Sequence, residues 1–202
     1  MIKTINIFFL GVFVSCMSFA GGENYIVLEK ALKDPEKVKH LEVSCDSINF
    51  VSLQENIHEF KHLSGIAFLG EPKEEIKIWE VLNHLRMLEQ IMFIDNNLSE
   101  IKVGGSSSTI KKLWLKGSPN VNVNSLNNVL RKANYIQYLR LDSIKSDVYP
   151  FEIGNLELLK ELQISNSTWK PRPLFIISGR CEKLKRLDFH SNNFQFVGNE
   201  IK

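Results

Sequence analysis

Along this chain an apolar residue is followed by apolar residues three and five positions later, and the triplet returns seven times at intervals of 22 to 26 residues. The triplets begin at Val38, Leu63, Leu88, Ile110, Ile136, Leu159 and Leu184. Their companions are Leu41/Val43, Ile66/Phe68, Ile91/Phe93, Leu113/Leu115, Leu139/Leu141, Leu162/Ile164 and Leu187/Phe189. Apolar types make up 44% of the chain, so filling all 21 slots in a fixed register has a chance probability on the order of 10⁻⁸. Counting each start as position one, positions four and six point inward and positions three, five and seven outward, the period-2 signature of a short strand with one buried side. A recurrence of this length marks a solenoid, whose units bury their apolar side only by stacking. The pattern predicts an α/β solenoid of about seven repeats over residues 38–202, with a parallel concave sheet and short helices or turns on the convex side.

The connections between strands differ from one another. Leu53, Ile57 and Phe60 are spaced like a helical face, as are Ile76, Trp79, Leu82 and Leu85, and again Leu126, Val129, Leu130 and Ala133. Residues 103–109, Val-Gly-Gly-Ser-Ser-Ser-Thr, have no such face and are expected to form an exposed, mobile turn. Pro171 and Pro173 are expected to exclude helix at the start of the sixth connection and to permit it from Leu174 onward. Residues 23–37, with Leu28, Ala31 and Leu32 at helical spacing and Pro35 before Val38, read as an N-terminal capping helix over the first strand. No C-terminal cap is evident after Phe194, Phe196 and Val197.

Two stretches carry a family resemblance. Leu184-Lys-Arg-Leu187-Asp-Phe189-His-Ser-Asn192-Asn-Phe194 and Leu88-Glu-Gln-Ile91-Met-Phe93-Ile-Asp-Asn96-Asn-Leu98 resemble the leucine-rich repeat consensus L-x-x-L-x-L-x-x-N-x-L at each specified position, with other apolar residues replacing some leucines. Tyr149-Pro-Phe-Glu-Ile-Gly-Asn-Leu156 is similar to the connection common in secreted bacterial and plant members. The resemblance covers about residues 38–201 and implies a leucine-rich repeat (LRR) solenoid of the secreted bacterial kind. It is specific for fold and says little about function. At the ninth position, where the family's Asn side chain bonds neighbouring backbones into a ladder, this chain has Asp46, Glu71, Asn96, Ser118, Ile144, Ser167 and Asn192. Ile144 has no polar side-chain atom, so the ladder is expected to break at the fifth repeat and the curvature to be irregular.

The first twenty residues read as a signal peptide: Lys3, an apolar run from Ile5 to Val14, and small residues ending at Ala20. Phe13-Val14-Ser15-Cys16 offers an alternative, lipidation at Cys16, which would be the chain's one route to a membrane; the run is too short to span one, which takes about 20 residues. Either way the expected location is secreted, periplasmic or cell-surface. Losing residues 1–20 removes one lysine and leaves 24 basic against 23 acidic residues, a balance that argues against nucleic acid. Cys45 and Cys181 fall in the first repeat and just before the seventh, roughly 25–30 Å apart at about 4.8 Å per strand, so two free thiols are expected rather than a disulfide.

Outward positions define the surface available for function. Position five runs Glu42, Ala67, Met92, Trp114, Arg140, Gln163, Asp188; position seven runs Ser44, Leu69, Ile94, Lys116, Asp142, Ser165, His190. Ala67, Leu69, Met92, Ile94 and Trp114 are adjacent in this scheme, with Tyr138 beside them and Lys112, Lys116 and Arg140 along one border. These nine residues have the composition of a protein-binding hot spot and are expected to expose an apolar patch of several hundred Å². Strand preference of β-branched and aromatic residues is the competing explanation.

No catalytic, metal or cofactor site is expected. Cys45 and His40 share a repeat but lack a third group to orient the imidazole. The histidines show no metal-ligand spacing, and Gly104-Gly105 is followed by serines rather than the lysine of a phosphate loop. The expectation is a non-catalytic module binding a host or envelope protein on its concave face. The alternatives are a truncated repeat fragment without ligand, end-to-end self-association through an uncapped C-terminus, or a carbohydrate-binding adhesin in which Trp114 and Tyr138 stack on sugar rings.

Overall fold

The computed structural model describes residues 25–45, 50–104 and 108–192. The expected leader with its expected cleavage site and Cys16, the first ladder residue Asp46, Gly105 with the serines at 106 and 107, and the apolar residues Phe194, Phe196 and Val197 lie outside the described residues.

Eight strands form one parallel sheet in chain order: β1 (Ile26–Val27), β2 (His40–Ser44), β3 (Gly65–Leu69), β4 (Gln90–Ile94), β5 (Lys112–Lys116), β6 (Tyr138–Asp142), β7 (Glu161–Ser165) and β8 (Arg186–Asp188). Strands β2 to β7 occupy positions three to seven of their repeats, and β8 positions three to five. Register pairing keeps position on position throughout, as in Leu41↔Ile66, Ile66↔Ile91, Ile91↔Leu113, Leu113↔Leu139, Leu139↔Leu162 and Leu162↔Leu187. The inward rows at positions four and six are therefore continuous, and from β2 to β7 every member is at most 1% exposed. At about 1.5–3 kcal/mol for each large apolar side chain removed from water, these two rows dominate the stability of the domain. Rings add shape: Phe68 stacks on Phe93 at 5.9 Å, and Trp79 meets Phe93 edge-on at 5.7 Å.

At position eight of repeats two to seven the chain turns through the left-handed region. Position eight in repeats two to seven is Gly70, Asp95, Gly117, Ser143, Asn166 and Ser191, with φ between 51° and 79°. Glycine, Asn and Asp tolerate this conformation best, and serine is the least comfortable of the four types used. The turn places position nine under the sheet, where the ladder forms. Asn96 donates to the Gly70 carbonyl at 2.6 Å, Ser118 Oγ accepts from Leu98 N at 3.1 Å, and Asn192 donates to Ile164 O at 2.7 Å while accepting from Ser167 N at 2.8 Å. Ile144 is fully buried among apolar neighbours, and at this level the chain is joined instead by Lys145 N to Pro119 O at 2.9 Å and Thr168 N to Ile144 O at 3.2 Å. The side-chain ladder is interrupted where Ile144 was expected to interrupt it.

The convex elements are α1 (Leu28–Ala31), α2 (Phe50–Asn56), α3 (Glu75–His84), α4 (Val123–Lys132) and α5 (Pro171–Ser178), with 3₁₀ turns at Pro35–Lys37, Ile57–Glu59 and Phe151–Asn155. Leu126, Val129, Leu130 and Ala133 are buried along α4, as their spacing implies. Four expectations need correction. The cap is a single helical turn preceded by a strand, because Ile26 and Val27 pair with Leu41 and Glu42 and extend the sheet by one rung. In α3 the buried face is Ile78, Trp79, Val81 and Leu82, and Ile76 points to solvent. Helix α5 begins at Pro171 itself: the first turn of a helix has no acceptor for its N–H groups, so proline there forfeits no bond. In the third connection Val103 is buried in the core rather than exposed, and Thr109 Oγ1 donates to Leu88 O at 2.7 Å.

Candidate functional site

Three register rows lay the nine surface residues side by side on one face. Position five gives Ala67↔Met92, Met92↔Trp114 and Trp114↔Arg140; position seven gives Leu69↔Ile94 and Ile94↔Lys116; position three gives Lys112↔Tyr138. The sheet thus brings all nine together on consecutive strands. It does not expose them as an open apolar patch. Ala67, Met92, Ile94 and Trp114 are between 0% and 8% exposed and form a second apolar cluster, with Tyr25, Leu69 and Tyr138 packed against it. Side chains that stand one strand spacing apart in register shield one another, which alternation along a single strand does not reveal. The half-buried members are Leu69, Lys112, Lys116, Tyr138 and Arg140, and they make a rim.

Two cation–π contacts fix part of that rim. The Arg140 guanidinium lies 5.2 Å from the Trp114 ring centre, and Lys112 Nζ lies 5.6 Å from that of Tyr138. With a guanidinium over it and only 8% exposure, the Trp114 ring offers no open face for a sugar unless its covering groups move, which counts against the adhesin alternative.

The N-terminal end of the face is built around Gly65 at position three of β3. A Cβ there would fall 2.5 Å from His40 Cδ2 and 3.0 Å from the Tyr25 hydroxyl, so the missing side chain admits both rings, whose centres are 5.2 Å apart. His40 Nε2 lies 3.4 Å from Ser64 Oγ and 3.3 Å from Gln90 Nε2 across the same gap. Tyr25 and Gln90 are contributors that strand alternation alone does not single out; the lone glycine at position three of the second repeat is the signal that could have found them. Beyond it, burial pushes the Glu42 carboxyl up from its ordinary value.

Cys45 and His40 do not form a dyad. The imidazole meets Ser64 and Gln90 on the concave face, whereas Cys45 is buried at position eight, 3.6 Å from Asn96 Nδ2. Cys181 is also a free, buried thiol, donating to Ile153 O at 3.1 Å, and burial raises its pKa. Among the described residues no group of three or more His, Cys, Asp or Glu is placed to hold a metal ion, and no helix is long and apolar enough to cross a membrane. A surface hollow of about 430 Å³ lies away from the concave face, between residues 100–104 and one side of α4 from Asn122 to Lys132.

A parallel sheet with one strand per repeat, a left-handed turn at position eight of repeats two to seven and an Asn-type ladder beneath it define a leucine-rich repeat solenoid. No protein-family model matches the chain, and no characterised protein matches its sequence. Among solved structures it is similar to the LRR protein LIC12759 of Leptospira interrogans, at 21% identity and a TM-score of 0.47, over 85% of this chain and 36% of that one. It is also similar to the leucine-rich repeat domain of the type III effector XopL, at 18% identity and a TM-score of 0.48, over 79% of this chain and 55% of that one. The chain spans about a third and about half of those lengths, and its fold is defined by its own sheet order and register rather than by these likenesses.

Proposed function

We propose that this chain is an exported, non-catalytic module that binds a protein partner on its concave face, through the rim of Leu69, Lys112, Lys116, Tyr138 and Arg140. The buried Met92, Ile94 and Trp114 act as the rigid floor beneath that rim. The observation that carries the reading is the convergence of all nine residues in register on strands β3 to β6. A face already packed and hydrogen-bonded along every strand loses little side-chain freedom on binding, which favours affinity. Aromatic and cationic side chains around an apolar centre match the composition of energetic hot spots. Export is supported by the Lys3 to Ala20 segment, and mass spectrometry of the mature N-terminus distinguishes cleavage after Ala20 from lipidation at Cys16.

The test is site-specific photo-crosslinking. A crosslinker at position 138 or 116 is expected to trap a partner from envelope or host-surface fractions, and one at the exposed convex Ile176 is not. Lys112→Glu combined with Lys116→Glu should abolish the capture while leaving thermal unfolding within a degree or two of the parent. Equal capture from position 176, or capture indifferent to the double charge reversal, refutes concave-face binding.

A further inference from the structure

On the concave side of β3 two successive outward sites carry almost no side chain. At position three Gly65 stands between His40 and Gln90, and at position five Ala67 stands between Glu42 and Met92. Gly65 and Ala67 share one side of their strand, so the second repeat leaves a slot bordered by long side chains on both neighbouring strands. In the folded chain that slot is closed: Gly65 is buried and Ala67 is 0% exposed. The ring that closes it comes from the edge of the sheet. Tyr25 lies one residue ahead of β1, level with His40, and reaches past the imidazole to bring its hydroxyl to the place a Gly65 Cβ would occupy. It packs there on the cluster that contains Ala67, Met92 and Trp114. The strand that carries this ring is short: β1 has two residues, paired as Ile26↔Leu41 and Val27↔Glu42, and each is 37% exposed. Short edge segments with exposed side chains open at the lowest local cost in a fold.

We propose that the slot over Gly65 and Ala67 receives an aromatic side chain of the protein partner, and that Tyr25 is its built-in occupant, swinging away with β1 as the partner enters. This deepens the concave-face reading and rests on it. The slot suits a ring with a polar tip: Ala67 and Met92 give an apolar floor, and Ser64, His40 and Gln90 gather polar atoms at one end. Leu69, two residues beyond Ala67 on the same side of β3, joins the slot to the rim. A site filled by its own chain binds more weakly in proportion to the fraction of time it stands open, so removing the occupant should tighten binding.

The experiment pans random dodecapeptides on phage against the full-length Tyr25→Ala protein and measures the enriched peptides by calorimetry on that variant and on the parent. Peptides rich in Tyr, Phe or Trp are expected, bound at least about tenfold more tightly by Tyr25→Ala, as an open state populated at about 10% or less requires. Adding Ala67→Leu to Tyr25→Ala fills the slot and should abolish the gain. Should Tyr25→Ala unfold, Tyr25→Leu takes its place, with a gain of the same sign. A ring that merely packs gives the opposite result, since its loss leaves binding equal or weaker. Aromatic peptides bound no better by Tyr25→Ala than by the parent, or enriched peptides without aromatic residues, therefore overturn the slot. If binding of those peptides is lost in Lys112→Glu with Lys116→Glu, concave-face binding stands without it. Peptides indifferent to Ala67→Leu and to the double charge reversal, or no enrichment at all, overturn both.

Discussion

Replacing Gly117 by alanine tests the geometry on which the stacking of rungs depends. Gly117 occupies the left-handed turn after β5 at φ 70°, and a Cβ there would lie 2.4 Å from Asp95 Oδ1, 2.8 Å from Asp95 Cα and 3.1 Å from Asp95 N. Asp95 is the equivalent residue of the preceding repeat, so the obstruction is mostly backbone. That backbone is tied down by Asp95 N to Lys116 O at 2.9 Å and Asn97 N to Gly117 O at 3.1 Å. A left-handed alanine costs about 1–2 kcal/mol, and crowding against an unyielding neighbour adds about 1–3 kcal/mol. The expected loss is therefore about 2–5 kcal/mol. For a domain of this size each kcal/mol lowers Tm by about 2–4 °C, which places the drop at about 4–20 °C. Gly179→Ala is the control: Gly179 has φ −63° at the end of α5, and its nearest obstacle is Phe175 O at 3.1 Å. Its effect should stay within about 1 kcal/mol. Thermal and urea unfolding of both variants, followed by circular dichroism, decide the matter. Equal shifts for the two, or a Gly117→Ala shift below about 2 °C, would show that the rungs slide apart freely and that the left-handed turn is not a packing constraint.

Two further outcomes follow from buried groups. The Glu152 carboxyl is held below its ordinary pKa by the Asn155 amide, which donates at 2.7 Å, and by Arg131, with burial opposing both. A lowered folded-state value means that its stabilisation is present above the unfolded carboxylate's pKa, about 4.3, and disappears as pH falls through the folded one. Glu152→Gln should cost about 1–2 kcal/mol at pH 7, and the gap from the parent should close in urea melts toward pH 3; a gap constant with pH refutes the linkage. Trp114→Ala should lower stability by about 3–5 kcal/mol, because the ring is buried, so a variant that melts like the parent would show that the indole faces open water.

The strands are legible in the sequence because their signal is local: three apolar residues at fixed offsets, repeated, specify which residues face inward without reference to anything distant. The same locality explains the gain at Ile144, where a residue without polar side-chain atoms predicts a missing ladder bond. It also explains the failures. Burial of Met92 and Trp114 depends on residues of adjacent strands, more than twenty positions away. The helical spacing of Ile76 with Trp79 and Leu82 was compatible with two neighbouring faces, and packing selected the one through Ile78 and Val81. The left-handed turns carry their own signal, since Gly70, Asp95, Gly117, Ser143, Asn166 and Ser191 recur at one offset, but these residues are polar or bare and fall outside the apolar period. Pro171 reads as a helix breaker in the sequence, although its place at the first helical residue removes no hydrogen bond.

Strand β4 is buried at all five residues, whereas β6 alternates between half-buried and buried. In β6 every second site can accept a polar replacement at little cost; in β4 both sides are dry, and no side remains for drift. A polar substitution in β4 thus costs stability whichever way its side chain points, so new specificity can be written into β6 more readily than into β4.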